Sequence, residues 1–294
     1  MAVSSSLDKM VALLFIVGPT ASGKTALALQ LAEELGGEII CADSRTIYKG
    51  LDIATAKPTL EEQRRVPHWG LDLVEPNERY SAADFKTYAK KAIDDIQNGG
   101  KLPLIVGGTG LYIDSLLFDF TFGPAADPEE RAYLESLDID ALQQEITVSG
   151  IEMPENDKNK RYLIRAIEQR GVNRQKQEPM SGSLVIGLQP AREVLDERIR
   201  TRVNSIVDSG ALEEAKQLFE QYGYDAPAAA APFYKAFAGH FRDGADIATC
   251  KVRFYLNDRQ LSKRQTAWFK RNPHIHWFES AEPALTFVRK SIKD

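Results

Sequence analysis

The sequence predicts an α/β fold, a parallel sheet flanked by helices and interrupted by a small helical insertion. Three observations predict it. Short apolar runs suited to strands buried on both faces, Ala12–Val17, Glu38–Ala42, Leu102–Val106 and Ser183–Leu188, alternate with helix-patterned segments. The first run passes through Gly18–Thr25, GPTASGKT, straight into a helical repeat. Composition then shifts near Phe118, where an acidic and then a basic helical stretch break the alternation. The core is therefore expected over 1–119 and 181–294, and the insertion over 120–180.

GPTASGKT fits G-x-x-x-x-G-K-[ST], the P-loop pattern, and its context agrees with its letters. Leu27, Leu31 and Leu35 recur at helical spacing after it, so the loop joins a strand to a helix N-terminus. Free backbone N–H groups and the positive end of the helix dipole face an anion there. Gly18 and Gly23 allow the tight turn, Lys24 adds a point charge, and the Thr25 hydroxyl reaches a Mg²⁺ on the phosphates. The pattern identifies a phosphate chain, not the molecule that carries it.

The second strand ends on Asp43-Ser44-Arg45, and ligand groups gather at the carboxyl ends of strands in open α/β sheets. A turn-rich segment, Tyr48–Thr59, follows, and Gly70–Val74 is expected as a short strand. Ser81 caps a helix carried by Phe85, Tyr88, Ala92, Ile93 and Ile96 and ended by Gly99-Gly100. The strand Leu102–Val106 opens into Gly107-Gly108-Thr109, where a P-loop phosphotransferase would carry a Mg²⁺-holding carboxylate. In the insertion, Asp127–Glu145 is acidic and helical, and Gly150–Asn156 is a break. Lys158, Lys160, Arg161, Arg165, Arg170, Arg174 and Lys176 then form a basic run. Arg192–Glu220 reads as one or two helices with Leu195, Ile199, Val203, Ile206 and Val207 facing in, and Ala226–Pro232 reads as a loop. A basic helix spans Ile247–Phe269, and His274–Phe278 is a last strand.

Hydrophobic residues make up 43% of the chain and charged residues 27%, an ordinary globular profile. The net charge of −5 alone argues against nucleic acid, but the basic residues concentrate in the insertion and the C-terminal helix. Interleaved with Tyr255, Trp268 and Phe269, such clusters suit RNA, phosphates for affinity and aromatic faces for splayed bases. Cys41 and Cys250 have neither metal-ligand nor disulfide spacing, which points to a reducing cytosol. Lys9 and the apolar run Met10–Val17 lead into the P-loop without a cleavage site, and no run is long enough to span a bilayer.

Taken in order, GPTASGKT, DSRTIYKGLDIATAKP, PHWGLDLVEPNERYSAADF, LPLIVGGTGLY, NDKNKRYLIRAIE, RQLSKRQTAWFKR and HIHWF resemble the bacterial tRNA dimethylallyltransferases, the tRNA isopentenyl-transfer family. The resemblance implies a P-loop NTPase-like core with a mobile, tRNA-clamping insertion. The reaction it implies moves a dimethylallyl group from dimethylallyl pyrophosphate to the exocyclic amine of the adenosine 3′ of the anticodon. By resemblance Asp43 is the general base, and Lys24, Thr109 and Arg165 complete the reacting centre. Gly18, Thr20, Ala21, Ser22, Gly23, Lys24 and Thr25 would hold the pyrophosphate, with Thr25 on Mg²⁺. The anticodon stem-loop would meet Asp43, Ser44, Arg45, Thr46, Thr109, Arg131, Lys160, Arg161, Arg165, Tyr234, Lys235, Lys263 and Arg264. A cytoplasmic monomer with no membrane partner is expected.

The chain departs from the family pattern at three places. AAAPFYKA has Phe233 where a Gly precedes the Tyr-Lys pair, Tyr162 stands where an arginine is usual, and Thr46 replaces a Gln. Three alternatives stay open at this stage. They are a small-molecule phosphotransferase, prenyl transfer to free AMP, and a non-enzymatic RNA-binding protein with a relic P-loop.

Overall fold

The computed structural model describes residues 11–123, 127–170, 172 and 178–293. Lys9, Met10, Arg174 and Lys176, invoked above, lie outside the described residues. Two compact units divide the chain, Met1–Leu117 with Pro179–Asp294, and Phe118–Glu178.

In the first unit, β1 (Leu13–Val17) leads through the P-loop to α1 (Lys24–Leu35), which stops at Gly36 in the left-handed conformation. Then come β2 (Gly37–Cys41), α2 (Leu60–Arg65), β3 (His68–Trp69), α3 (Ala82–Asn98), β4 (Leu102–Gly107) and α4 (Gly110–Leu117). The second unit holds α5 (Pro128–Ser136), α6 (Ile139–Val148) and α7 (Lys160–Glu168). The chain returns with β5 (Ser183–Leu188), α8 (Arg192–Ile206), α9 (Leu212–Tyr222), α10 (Pro232–Asp243), α11 (Ile247–Phe269), β6 (His276–Phe278) and α12 (Ala281–Lys293).

The strands form one six-stranded sheet in the order β3-β2-β4-β1-β5-β6, every neighbouring pair parallel. This is the α/β core that the sequence predicts. Leu14, Phe15, Ile16 and Val17 are all 0% exposed, which is why β1 reads as a continuous apolar run rather than an alternation. The connection leaving β1 crosses β4 to reach β2, whereas the chain leaving β4 crosses β1 to reach β5. The carboxyl ends of β1 and β4 therefore flank a topological switch point, the place where such sheets bind ligands. α3 starts as its sequence suggests. Ser81 Oγ accepts from the Asp84 amide and Asp84 Oδ2 accepts from the Ser81 amide, a reciprocal capping box that fixes where the helix begins.

Two sequence expectations are corrected. Gly70–Val74 is not a strand: Gly70 and Asp72 both take left-handed backbone, at φ 83° and 53°, so the chain turns twice. Only Val74 pairs, through a single bridge to Tyr48, and the edge strand is instead His68–Trp69. Ala226–Pro232 is not an open loop either. Pro227–Ala230 forms a 3₁₀ turn and Pro232 occupies the first turn of α10, where its missing N–H costs nothing.

The second unit has its own small core of Leu134, Leu142, Ile146, Leu163, Ile164 and Ile167. Its polar anchor is Glu168, 2% exposed. Arg131 donates to it from Nε and Nη2, both at 2.6 Å, and Arg165 donates from Nη1 at 3.3 Å. Burial pushes the Glu168 carboxyl up, but the two guanidiniums outweigh burial and hold it below the ordinary carboxylate value. Lys160 Nζ ties the start of α7 to α5 by donating to Glu135 O at 2.7 Å.

Candidate active site

A cavity of about 750 Å³ opens at the switch point of the first unit. Its walls include Thr20–Thr25 from the P-loop, Asp43–Thr46 after β2, and Thr109 after β4. Arg198 and Arg202 of α8 complete it with Asp258 and Gln265 of α11.

The P-loop is strained into shape. Gly18 sits at φ 147°, and a Cβ there would lie 2.4 Å from Leu188 O, so only glycine fits. Ala21, not a glycine, is held at φ 61°. Ser22 is 3% exposed, and its hydroxyl has no hydrogen-bond partner. Lys24 Nζ donates back to Pro19 O at 2.8 Å. Burial pushes the Lys24 ammonium down to about 8, partly opposed by the negative charge of Asp43 and reinforced by the positive charge of Arg202. An anion in the loop would relieve that cost.

Asp43 lies two residues beyond β2, and its Oδ1 accepts from the Arg45 amide at 2.9 Å, an Asx turn that sets the carboxylate. Thr109 Oγ1 accepts from the Ser44 amide at 3.0 Å and donates to Ser44 Oγ at 3.3 Å, stitching the end of β4 to the Asp43 turn. Thr46 lines the same wall but is only 6% exposed, its hydroxyl donating to Asp43 O at 3.4 Å. The set Lys24, Asp43, Ser44, Arg45, Thr46 and Thr109 is thus brought together in one cavity, as the sequence expects of its core site residues.

The structure adds four residues that sequence reasoning did not single out. Gln265 Oε1 accepts from the Thr20 amide at 2.8 Å while its Nε2 donates to Gly108 O at 3.0 Å, so one side chain bridges the loops after β1 and β4. A Cβ at Gly108 would sit 2.4 Å from that Nε2, so a larger residue there would push the Gln265 amide aside. Arg198 Nη1 donates to Ser22 O of the P-loop at 3.1 Å. Arg202 Nε lies 3.3 Å from Asp258 Oδ2, a side chain 3% exposed, but neither atom makes a well-aligned hydrogen bond. Burial raises the Asp258 carboxyl, Arg202 pulls it down, and Asp43 raises it further, leaving it above its usual value. The available signal was spacing: Arg198 and Arg202 fall at i,i+4 on α8, and Asp258 and Gln265 at i,i+7 on α11.

Tyr234 corrects a sequence expectation. It is 0% exposed, and its hydroxyl donates to Glu214 Oε1 at 2.7 Å rather than facing RNA. Glu214 in turn accepts from the Asp52, Ile53 and Ala54 amides at 2.7, 2.8 and 2.9 Å. The pair anchors the loop whose Ala54, Thr55 and Ala56 line the cavity. Tyr234→Phe should lower stability by roughly 1–2 kcal/mol and leave the affinity for RNA, the partner the sequence leads one to expect, unchanged. A weakened affinity with unaltered melting temperature would restore Tyr234 as a direct contact. Lys235, Lys263 and Arg264 remain exposed. Arg131, Lys160, Arg161 and Arg165 belong to the second unit.

The family described as IPP transferase matches residues 46–272, and the one described as isopentenyl transferase matches residues 11–71. The chain belongs to the IPP transferase family. Among curated relatives, a tRNA dimethylallyltransferase of Anoxybacillus flavithermus is 38% identical over 286 residues, covering 92% of this chain and 91% of the relative. One from Streptococcus thermophilus is 39% identical over 277 residues, covering 92% of each. The solved tRNA isopentenylpyrophosphate transferase of Bacillus halodurans superposes with a TM-score of 0.74 at 32% identity, over 96% of this chain and 97% of that one. A eukaryotic dimethylallyltransferase acting on tRNA gives 0.80 at 25% identity, over 96% of this chain and 79% of that one.

For an IPP transferase the donor set at the start of α1 is informative. No group of three His, Cys, Asp or Glu able to hold a metal occurs among the described residues, and the Thr25 side chain is exposed in the cavity. One hydroxyl beside a phosphate cradle fits a hard ion held mainly by phosphate oxygens and water. No helix among the described residues is long and apolar enough to cross a membrane.

Proposed function

We infer that this chain transfers a dimethylallyl group from dimethylallyl pyrophosphate to the exocyclic amine of the adenosine 3′ of the anticodon in tRNA, releasing diphosphate. The observation that carries the reading is the carboxylate of Asp43 in the same cavity as the P-loop. β4 runs out into Gly107, Gly108 and Thr109, none of them acidic, so in this reading the catalytic carboxylate follows β2 rather than β4.

The P-loop amides and Lys24 hold the diphosphate, which here is the leaving group. As the allylic C–O bond breaks, negative charge grows on the diphosphate oxygens, and preorganised N–H groups with Lys24 stabilise it more in the transition state than before. Arg202, whose charge is felt at Lys24, adds a second cation to the cavity. The allylic carbon gains cationic character and bonds to the adenine amine, whose proton passes to Asp43. Thr109, bonded to Ser44, keeps the Asp43 turn in register. Mg²⁺, held by Thr25 and the diphosphate oxygens, would neutralise leaving-group charge. The adenine must leave its stack to reach Asp43, which an anticodon loop permits more readily than a duplex.

The unit of α5–α7 serves in this reading as a tRNA clamp, with Lys160, Arg161 and Arg165 toward phosphates and Arg131 holding Glu168. Amide exchange across α5–α7 should slow when tRNA is added. Protection confined to the P-loop would remove the clamp. Free, buried Cys41 and Cys250 support a reducing, cytosolic setting.

The deciding experiment mixes the protein with dimethylallyl pyrophosphate, Mg²⁺ and bulk tRNA and measures the mass of the nucleosides. A prenylated adenosine is expected. ATP-dependent phosphorylation of a small molecule without prenyl transfer would overturn the reading.

A further inference from the structure

Four carboxylates among the described residues are buried, those of Asp114, Glu168, Glu214 and Asp258. Three of them are matched by short hydrogen bonds. Asp114 accepts from Trp268 Nε1 at 2.8 Å, Glu168 from Arg131 at 2.6 Å, and Glu214 from Tyr234 Oη and three amides at 2.7 to 2.9 Å. Asp258 is the exception. It is 2% exposed, its Oδ2 has no well-aligned donor, and it alone of the four lines the catalytic cavity. No step of the transfer described above uses it.

Its neighbour is Arg202. Arg202 Nε and Asp258 Oδ2 are both buried and lie 3.3 Å apart, close enough to attract but off hydrogen-bond alignment. Nη1 and Nη2 bond no described residue and are not sealed from solvent, in a side chain that is 26% exposed and borders the cavity. One edge of the guanidinium is thus held and the other is open. Arg198, one turn earlier on the same face of α8, already touches the P-loop through Ser22 O, and the charge of Arg202 is felt at Lys24. Tying α8 to α11 does not require the pair. Asp196 does that, accepting from Tyr255 Oη at 2.6 Å and lying 3.4 Å from Arg259 Nε. Desolvation of both charges offsets the attraction within a buried ion pair, so poor alignment leaves little net stability. Burial raises the Asp258 carboxyl more than Arg202 lowers it, so ionised Asp258 costs the fold stability rather than adding to it.

We propose that Asp258 is a positioning residue for the transfer: it holds Arg202 by the Nε edge so that Nη1 and Nη2 meet the diphosphate leaving group. The proposal rests on the prenyl-transfer reading given above. The hold is by charge and not by a fixed hydrogen bond, so the guanidinium keeps room to turn as charge builds on the diphosphate oxygens. Without that anchor the long arginine stem would spread over several rotamers, and less of its charge would be in place when the allylic C–O bond breaks. The effect of Asp258 on the reaction runs through Arg202.

The test is a double-variant cycle of Asp258→Asn and Arg202→Ala in the full chain. It is read as steady-state kinetics with dimethylallyl pyrophosphate at saturating tRNA, and as melting temperature. Asn keeps the size and polarity of Asp258 and removes the charge that holds Arg202. Arg202→Ala should lower kcat/KM for the donor roughly 10²-fold, as for loss of a charge-assisted bond. Asp258→Asn alone should lower it about tenfold, mostly in turnover, because Arg202 meets charge that grows in the transition state. In the Arg202→Ala background Asp258→Asn should lower it no further, since two residues that act as one unit are not additive. Removing a negative charge from the cavity wall would, if anything, tighten donor binding there. Asp258→Ser repeats the cycle with a smaller side chain, should Asn not fold, and the same result is expected. A tenfold loss that persists without Arg202 would make Asp258 a residue of the fold or of the donor site and overturn the positioning role. Wild-type kinetics in Asp258→Asn, or in Arg202→Ala, would overturn it as well, while prenylation by the wild type would leave the underlying reading intact. A wild type that does not prenylate tRNA would overturn both, which separates the two failures.

Discussion

Replacing Asp43 by Asn should lower the rate of prenyl transfer by roughly 10²- to 10⁴-fold, the usual weight of a general base, and leave donor affinity nearly unchanged. The structure makes this substitution unusually clean. Asp43 Oδ1 accepts from the Arg45 amide, and the carbonyl oxygen of an asparagine can accept the same hydrogen bond. The Asx turn, the Ser44–Thr109 bonds that hang on it and the shape of the wall should all survive. What is lost is the capacity to take a proton from the adenine amine. Donor binding should hold or tighten slightly, because a neutral amide repels diphosphate less than a carboxylate does. Single-turnover rates with tRNA, alongside equilibrium binding of the donor, separate the two quantities. Wild-type transfer by Asp43→Asn would remove Asp43 as the base and leave its carboxylate a structural feature of the turn.

What the sequence made legible is local. The P-loop shows in eight consecutive residues, α3 in the Ser81–Asp84 box and its apolar stripe, and α11 over the span Ile247–Phe269 that the structure also gives it. Each of these signals lies within one element. The rest of the site is made by packing between elements far apart in the chain. Gln265 reaches the Thr20 amide across 245 positions, and no spacing rule connects a helix near the C-terminus to a loop near the N-terminus. Arg202 meets Asp258 only because α8 lies against α11. Tyr234 misled for the complementary reason. A Tyr-Lys pair reads alike whether its ring is inside or outside, and here Glu214 supplies a buried acceptor that draws it in. The strand expected at Gly70–Val74 failed on backbone conformation: Asp72 adopts φ 53°, which its residue type tolerates but does not announce.

Lys24→Ala should behave differently from Asp43→Asn, raising the Michaelis constant for dimethylallyl pyrophosphate roughly 10- to 100-fold, as for loss of a charge-assisted bond, and lowering turnover about 10²-fold as well. Both effects follow from one contact, since Lys24 meets the diphosphate in the ground state and more strongly as charge accumulates on it. tRNA should still bind, because the cations proposed for RNA lie elsewhere. The wild type carries a second signature of the same residue. Burial leaves the Lys24 ammonium near 8, so it is charged below that pH and neutral above it. Donor affinity should therefore decline as pH rises through about 8, and the step should be absent from Lys24→Ala. Stability should move the other way. The unfolded lysine titrates near 10.5 and the folded one lower, so between these values the unfolded state binds more protons and the fold gains stability as pH rises. Donor binding, by favouring the ammonium, should cause proton uptake above pH 8, measurable as buffer-dependent heat in calorimetry. A donor affinity flat across that range in the wild type would mean that Lys24 stays charged throughout and that the P-loop amides alone bear the pH-independent share of binding.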